Sequence, residues 1–157
     1  MGVRSLRWPL VIDAVEAAAN DLPVGLMLIG DGPQRRQLEE RGAVTWVSAT
    51  KTGDVRVAFE KFLALEGNGW KGKAGTALVS DPAVATFGRS MTRLLADDCL
   101  CRIDALELDG RPVAMGITII SGRSAALWKI AYDEAYAAQS PGVQFILEYT
   151  RRQIEDA

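Results

Sequence analysis

A mixed α/β (α+β) fold is predicted by three features of this 157-residue sequence. Two segments with helical spacing of apolar residues, Asp54–Glu66 and Pro82–Asp98, follow one another across a glycine-rich connection. Three short strand-like segments, Arg102–Leu108, Pro112–Ile120 and Ala125–Ala131, are joined by Asp109-Gly110 and Ser121-Gly122-Arg123, sequences that suit tight antiparallel turns. Ser140-Pro141-Gly142 then opens a last helix. From Val44 onward the order is strand, helix, helix, three-stranded antiparallel meander, helix.

Each element has its own local reason. Arg7–Asn20 reads as a helix with Pro9 in its first turn and Leu10, Val11, Val15 and Ala18 along one side. Leu22–Ile29 is a short continuous apolar run, the pattern of a buried strand, and Gly30-Asp31-Gly32-Pro33 stops it. Gln34–Arg41 starts a polar helix, and Val44–Ser48 is a strand candidate. These divide the chain into a helix-strand-helix extension, residues 1–42, and a main domain, residues 43–157. In Asp54–Glu66 the core face carries Val55, Phe59, Phe62 and Leu63. Ser80-Asp81-Pro82 supplies an N-cap candidate and a first-turn proline, and the helix it opens sets Val84, Phe87, Met91 and Leu94 at helical spacing. A loop over Tyr132–Gln139 leads into the final helix. Trp128 lies on the third meander strand, where alternation favours an inward side chain and core packing.

Composition narrows the chemistry. An apolar content of 48% with 24% charged residues is that of a globular domain with a real core. A net charge of −2 gives no basis for nucleic-acid binding, which needs a concentrated basic face. No apolar run is long enough for a membrane span, and Met1–Asp13 lacks the marks of a secretory leader, so a cytoplasmic setting is expected. Histidine is absent, which removes the commonest general base and most zinc sites. Cys99 and Cys101 are too close for an unstrained disulfide and too few for a tetrahedral metal centre, so buried reduced thiols and no metal are expected.

The segment Phe62–Leu78, FLALEGNGWKGKAGTAL, breaks a helix at Gly67-Asn68-Gly69 and sets Trp70-Lys71-Gly72 in a loop. A large aromatic among glycines suits recognition as well as packing. The passage resembles the signature of the CelD-type (BioF-like) acetyltransferases of the GNAT superfamily, and the resemblance covers about residues 35–157. It implies a partial GNAT-like fold, which agrees with the element order. It also implies transfer of an acyl group from acetyl-CoA or another acyl-CoA to an amine or hydroxyl. The family further suggests a small-molecule or saccharide-linked acceptor and a link to polysaccharide (cellulose) biosynthesis.

In that superfamily the pyrophosphate of the coenzyme lies at the start of the helix after the meander, where unpaired N–H groups and the helix dipole favour an anion. The matching passage is Gln139-Ser140-Pro141-Gly142-Val143-Gln144. Gln139 and Gly142 fit the family loop, whereas Gln144 stands where a small residue is expected. Gln139, Ser140, Gly142 and Val143 are the cofactor-binding candidates, although ordinary helix capping accounts for the same residues. Without histidine, the base must be Glu, Asp, Tyr or ordered water. Glu66 at the helix end and Tyr132 or Tyr136 after the meander are the catalytic candidates, a tyrosine protonating the departing thiolate. The plainer reading, which the residues alone favour, is an ordinary solvated helix residue for Glu66 and amphipathic packing residues for Tyr132 and Tyr136. Trp70 and Lys71 are substrate-binding candidates, with Lys73 beside them; the alternatives are a loop pinned by Trp70 and two solvated lysines.

Residues 5–42 resemble a short segment of the GT-B glycosyltransferases, in which a strand ends in a similar Gly-Asp-Gly-Pro turn. The acidic sugar-nucleotide signature of those enzymes does not follow. A complete GNAT fold carries a further strand, a helix and two more strands after the final helix predicted here, so the sequence reads as a domain incomplete at its C-terminus. An open sheet edge would follow, covered by Leu22–Ile29 or by a second copy in a homodimer. Two alternatives therefore stand beside the acyltransferase: an inactive GNAT remnant acting as a binding or assembly module, and a nucleotide-sugar-binding glycosyltransferase remnant.

Overall fold

The computed structural model describes residues 33–155. The chain divides into two units, Met1–Gly30 and Asp31–Ala157, and the described residues belong to the second. The helix expected over Arg7–Asn20 and the strand over Leu22–Ile29 lie outside the described residues. Within them the order is α1 (Pro33–Glu39), β1 (Val44–Ala49), α2 (Thr52–Asn68), a short α3 (Trp70–Lys73), a 3-10 turn (Leu78–Ser80), α4 (Pro82–Asp97), β2 (Cys101–Leu108), β3 (Arg111–Ser121), β4 (Ser124–Tyr132), a 3-10 segment (Glu134–Gln139) and α5 (Pro141–Glu155).

The strands form one antiparallel sheet in the order β1-β2-β3-β4, as the meander reading requires. The β2–β3 hairpin closes through Asp109 (φ 50) and Gly110 (φ 77), two successive left-handed residues that match the right-handed twist of the flanking strands. The Asp109 side chain also accepts the Ala43 N–H at 2.8 Å, tying the entry to β1 to the same turn. Helices α2 and α4 cover one face, over a core of Val55, Phe59, Phe62, Leu63, Ile103, Met115 and Ile117. Helix α5 covers the other face, over Leu106, Leu108, Val113 and Phe145, with Trp46 stacked on Phe145 at 4.9 Å. Leu38 of α1 is fully buried in this second core. Trp128 is packed against the first core, as the core-packing reading expected, although strict alternation with Ile130 and Tyr132 would have put it on the other face.

Several sequence readings need correction, among them the loop over Tyr132–Gln139, where Tyr132 ends β4 and Glu134–Gln139 is a 3-10 segment. The glycines at 67 and 69 do not open a loop after Glu66: α2 runs on to Asn68, and Trp70–Lys73 is itself a helical turn. Gly69 is the only break between them, its N–H still bonded to the Glu66 carbonyl at 3.3 Å. In α4 the stripe at helical spacing is not the buried one. Ala85, Gly88, Thr92 and Ala96 face inward, whereas Val84, Phe87 and Leu94 are exposed. The cause is close packing against α2. A Cβ at Gly88 would lie 2.6 Å from the Phe59 ring, so only small residues fit on that side. Cys101 is buried as expected and burial pushes its thiol up to about 11, but Cys99 is exposed.

Asp81 caps α4, its carboxylate accepting the N–H groups of Ala83 and Val84 at 2.8 and 3.3 Å. Asp81→Ala leaves two first-turn donors without this partner and is expected to destabilise the fold by about 1 kcal/mol. The melting temperature then falls by roughly 2–4 °C, and Asp81→Asn, which keeps an acceptor, leaves it nearly unchanged. Equal losses for the two variants in a thermal melt would refute the capping assignment.

Candidate active site

The site is built where β4 ends and α2 turns into α3. Leu65, Glu66, Gly69, Trp70 and Lys71 form one wall of a mostly apolar cavity of about 110 Å³, and Ile130, Ala131 and Tyr132 form the other. A second, more polar cavity of about 240 Å³ adjoins it through the shared residues Leu65, Gly69 and Tyr132.

β4 is an edge strand among the described residues, and it is irregular beside this cavity. Its pairing with β3 passes from Ile117↔Lys129 to Thr118↔Leu127, so Trp128 is an inserted residue, a β-bulge. A bulge bends the strand and frees backbone groups from the ladder, which is why bulges gather at sheet edges and next to sites.

Lys71 reaches across to this edge. Its ammonium donates to the Ile130 carbonyl at 2.7 Å and lies 3.4 Å from Glu66 Oε1. Glu66 is only 2% exposed, and its other carboxylate oxygen accepts the Leu78 N–H at 2.7 Å. The two residues therefore brace the loop from both sides, fastening its start to β4 and its end to α2. Glu66 is not the solvated helix residue of the plainer sequence reading, and Lys71, though partly exposed, is tied at both ends of its reach. Lys73 pairs with Glu134 at 2.5 Å and holds the Glu134 carboxyl below its ordinary range, with the Trp70 backbone N–H adding to the effect. Trp70 itself is 51% exposed and pins nothing into the core.

The two tyrosines have different surroundings. Tyr132 lines both cavities and lies against the start of α5, where a Cβ at Gly142 would come within 3.1 Å of its ring. Tyr136 packs with the second core, under the Arg41 guanidinium at 5.7 Å. Both tyrosines thus pack against the second core, but Tyr132 also stands between the signature loop and the α5 start, whereas Tyr136 lies between the α1 end and the 3-10 segment.

At the start of α5, Ser140 is left-handed (φ 48) and turns the chain sharply into Pro141. The Gln144 N–H returns to the Ser140 carbonyl, but among the described residues no acceptor is paired with the N–H groups of Gly142 and Val143. Gln139 is buried with its Oε1 unpaired. Gln144, expected to crowd an approaching phosphate, is 4% exposed and turned into the protein. Two free donors, a bare Gly142 and a 15-residue helix behind them fit an anionic group such as a pyrophosphate.

Sequence reasoning gathered the ends of this site and missed its middle. Leu65, Ile130 and Ala131, which make the cavity apolar, carry no motif, and nothing in SAALWKIAY marks Trp128 as the inserted residue. Among the described residues no group of three or more His, Cys, Asp or Glu is arranged to hold a metal ion, and no helix is long and apolar enough to cross a membrane.

Comparison with known proteins gives one family. The model of the acetyltransferase (GNAT) domain matches residues 33–157, the span that contains the sheet, both covering layers and the cavity. No curated protein matches the chain. With the family's match spanning most of the sequence and the fold following the same order of elements, the chain belongs to the GNAT acetyltransferase domain family.

Proposed function

We propose that this chain is an acyltransferase of the CelD-type branch of its family, moving an acyl group from acetyl-CoA or a related acyl-CoA to an amine or hydroxyl. The observation that carries the reading is the meeting of three parts at Tyr132: the free N–H groups at the start of α5, the bulged edge of β4, and the Trp70–Lys71 turn. The co-substrate supplies an activated thioester. Gln139, Ser140, Gly142 and Val143 would hold its pyrophosphate, the N–H groups of Gly142 and Val143 serving as donors. Tyr132 is the proposed proton donor to the departing thiolate, since its ring borders the cavity from which that thiolate would leave. Trp70 is the proposed acceptor-side residue, exposed at the mouth of the same cavity.

Glu66 and Lys71 receive a narrower part. With one oxygen committed to Leu78 and the other facing Lys71, Glu66 is better suited to positioning than to taking a proton, so the acceptor's proton would leave to ordered water. The loop resemblance supports a saccharide-linked acceptor, and the edge position of β4 among the described residues supports pairing with a second copy.

Calorimetry with acetyl-CoA tests the reading. The expected result is binding with a Kd on the order of micromolar, weakened roughly tenfold or more by Gly142→Glu. That substitution puts a carboxylate where the phosphates would lie, and because its Cβ comes within 3.1 Å of the Tyr132 ring a thermal melt of the variant accompanies the titration to show that the fold is kept. Absence of binding at millimolar ligand would instead favour an inactive remnant serving as an assembly module, and binding of a uridine sugar nucleotide would favour the glycosyltransferase remnant.

A further inference from the structure

A second cleft lies between α2 and α4. It has a volume of about 200 Å³ and is lined by Arg56 and Glu60 of α2, Arg89, Ser90 and Arg93 of α4, and the Phe59 ring. Arg56 and Glu60 are four residues apart, as are Arg89 and Arg93, so each pair stacks along one helix edge. The close approach of the helices at Gly88 brings the two edges together.

The charges there are unevenly matched. Arg89 is held by Glu60 through a two-pronged pair, Nε to Oε1 at 2.6 Å and Nη2 to Oε2 at 2.9 Å, which leaves Nη1 without a partner among the described residues. Arg56 and Arg93 have no carboxylate partner among the described residues. Three guanidiniums against one carboxylate leave an excess of two positive charges in a chain whose net charge is −2.

We propose that this cleft binds a dianionic phosphoryl group, either free phosphate or the phosphorylated end of a small molecule. Guanidinium forks match phosphate oxygens in pairs, and the Glu60 carboxylate holds Arg89 in orientation before any ligand arrives. The Phe59 ring, 1% exposed, gives the cleft an apolar wall that keeps the dielectric low on one side. The volume is below the roughly 300 Å³ at which drug-sized pockets begin, which favours a small anion over a large ligand. The site uses α2 and α4 rather than the α5 start, so it stands independently of the acyl-CoA reading.

The test is a titration of the full ¹⁵N-labelled chain with inorganic phosphate, at a pH where it is mainly dianionic and with ionic strength matched by sodium chloride. Saturable amide shifts are expected over residues 55–60 and 88–93, with acetate binding about tenfold more weakly. Arg56→Ala/Arg93→Ala, two exposed positions, weakens phosphate binding by roughly tenfold or more and leaves the melting temperature in place. Shifts no larger than those in chloride, equal affinity for acetate, unchanged affinity in the double variant, or shifts confined to residues 140–143 would each overturn the proposal. The titration of the unmodified chain decides even where the double variant folds poorly.

Discussion

Glu66→Ala is expected to destabilise the protein by about 3 kcal/mol, which for a chain of this size lowers the melting temperature by roughly 6–12 °C. The Leu78 N–H, buried with its residue only 5% exposed, loses its acceptor, and an unsatisfied buried donor costs about 1–3 kcal/mol. The removed side chain also leaves a void, and Lys71 loses its counter-charge. That last share is the smallest, because the Lys71 side chain is 22% exposed and water can reach it. Glu66→Gln keeps the shape and an acceptor for Leu78, so its expected loss is about 1 kcal/mol. Lys71→Met leaves the carboxylate buried beside no cation and is expected to lose about 2–3 kcal/mol. Combined with Glu66→Gln it should lose clearly less than the two separately, because the double variant no longer buries an unpaired charge. Strict additivity, or a Glu66→Ala protein that melts within about 2 °C of the parent, would remove the brace from the account.

The same series separates two chemical roles. A general base cannot be replaced by an amide, so Glu66→Gln would abolish transfer while barely altering the melt. A positioning residue behaves otherwise, with turnover surviving in Glu66→Gln and failing in Glu66→Ala. The paired oxygens favour the second outcome.

The legibility of this protein in its sequence follows physical lines. The meander was readable because its turns are local: Asp109-Gly110 needs two left-handed residues, and both residue types tolerate that conformation. The core face of α2 was readable for a similar reason, since Val55, Phe59, Phe62 and Leu63 are large and point one way. In α4 the same rule misled. There the inward face is set by distance to α2, and the stripe of small residues at 85, 88, 92 and 96 carries the packing signal that a search for large apolar residues passes over. The candidate site divides likewise. Tyr132 and Gly142 were legible from their place in the order of elements, whereas their contact depends on how β4 and α5 cross. Glu66 and Lys71 were visible as residues, but their roles come from Leu78 and Ile130, neither of which has a polar side chain to announce it.

The glycines of the signature loop provide the sharpest remaining test, because two of them are required for different reasons. Gly72 lies in the α3 turn directly over the end of α2, and a Cβ there would collide with the Gly67 carbonyl oxygen and come within 2.6 Å of its carbon. Both atoms are backbone, so no side chain can rotate away, and α3 must lift off α2. Gly72→Ala is therefore expected to destabilise the protein by about 3 kcal/mol, at the upper end for an overpacked site. Gly75 meets nothing within 4 Å, but its φ of 70 lies in the left-handed region. Gly75→Ala adds only that conformational term, about 1 kcal/mol. Amide exchange distinguishes the two mechanisms more directly than melting does. The N–H groups of Thr76 and Ala77 both bond to the Lys71 carbonyl, at 2.8 and 3.1 Å, and this closure depends on α3 staying seated. Protection at Thr76 and Ala77 should be lost in Gly72→Ala and largely kept in Gly75→Ala, and equal exchange in the two variants would mean that the collision is relieved without moving the turn. Lifting α3 also carries Lys71 away from Ile130 and Trp70 away from the cavity mouth. Gly72→Ala should accordingly impair the acceptor side of the site while acetyl-CoA binding at the α5 start persists, a division that Gly142→Glu would show in reverse.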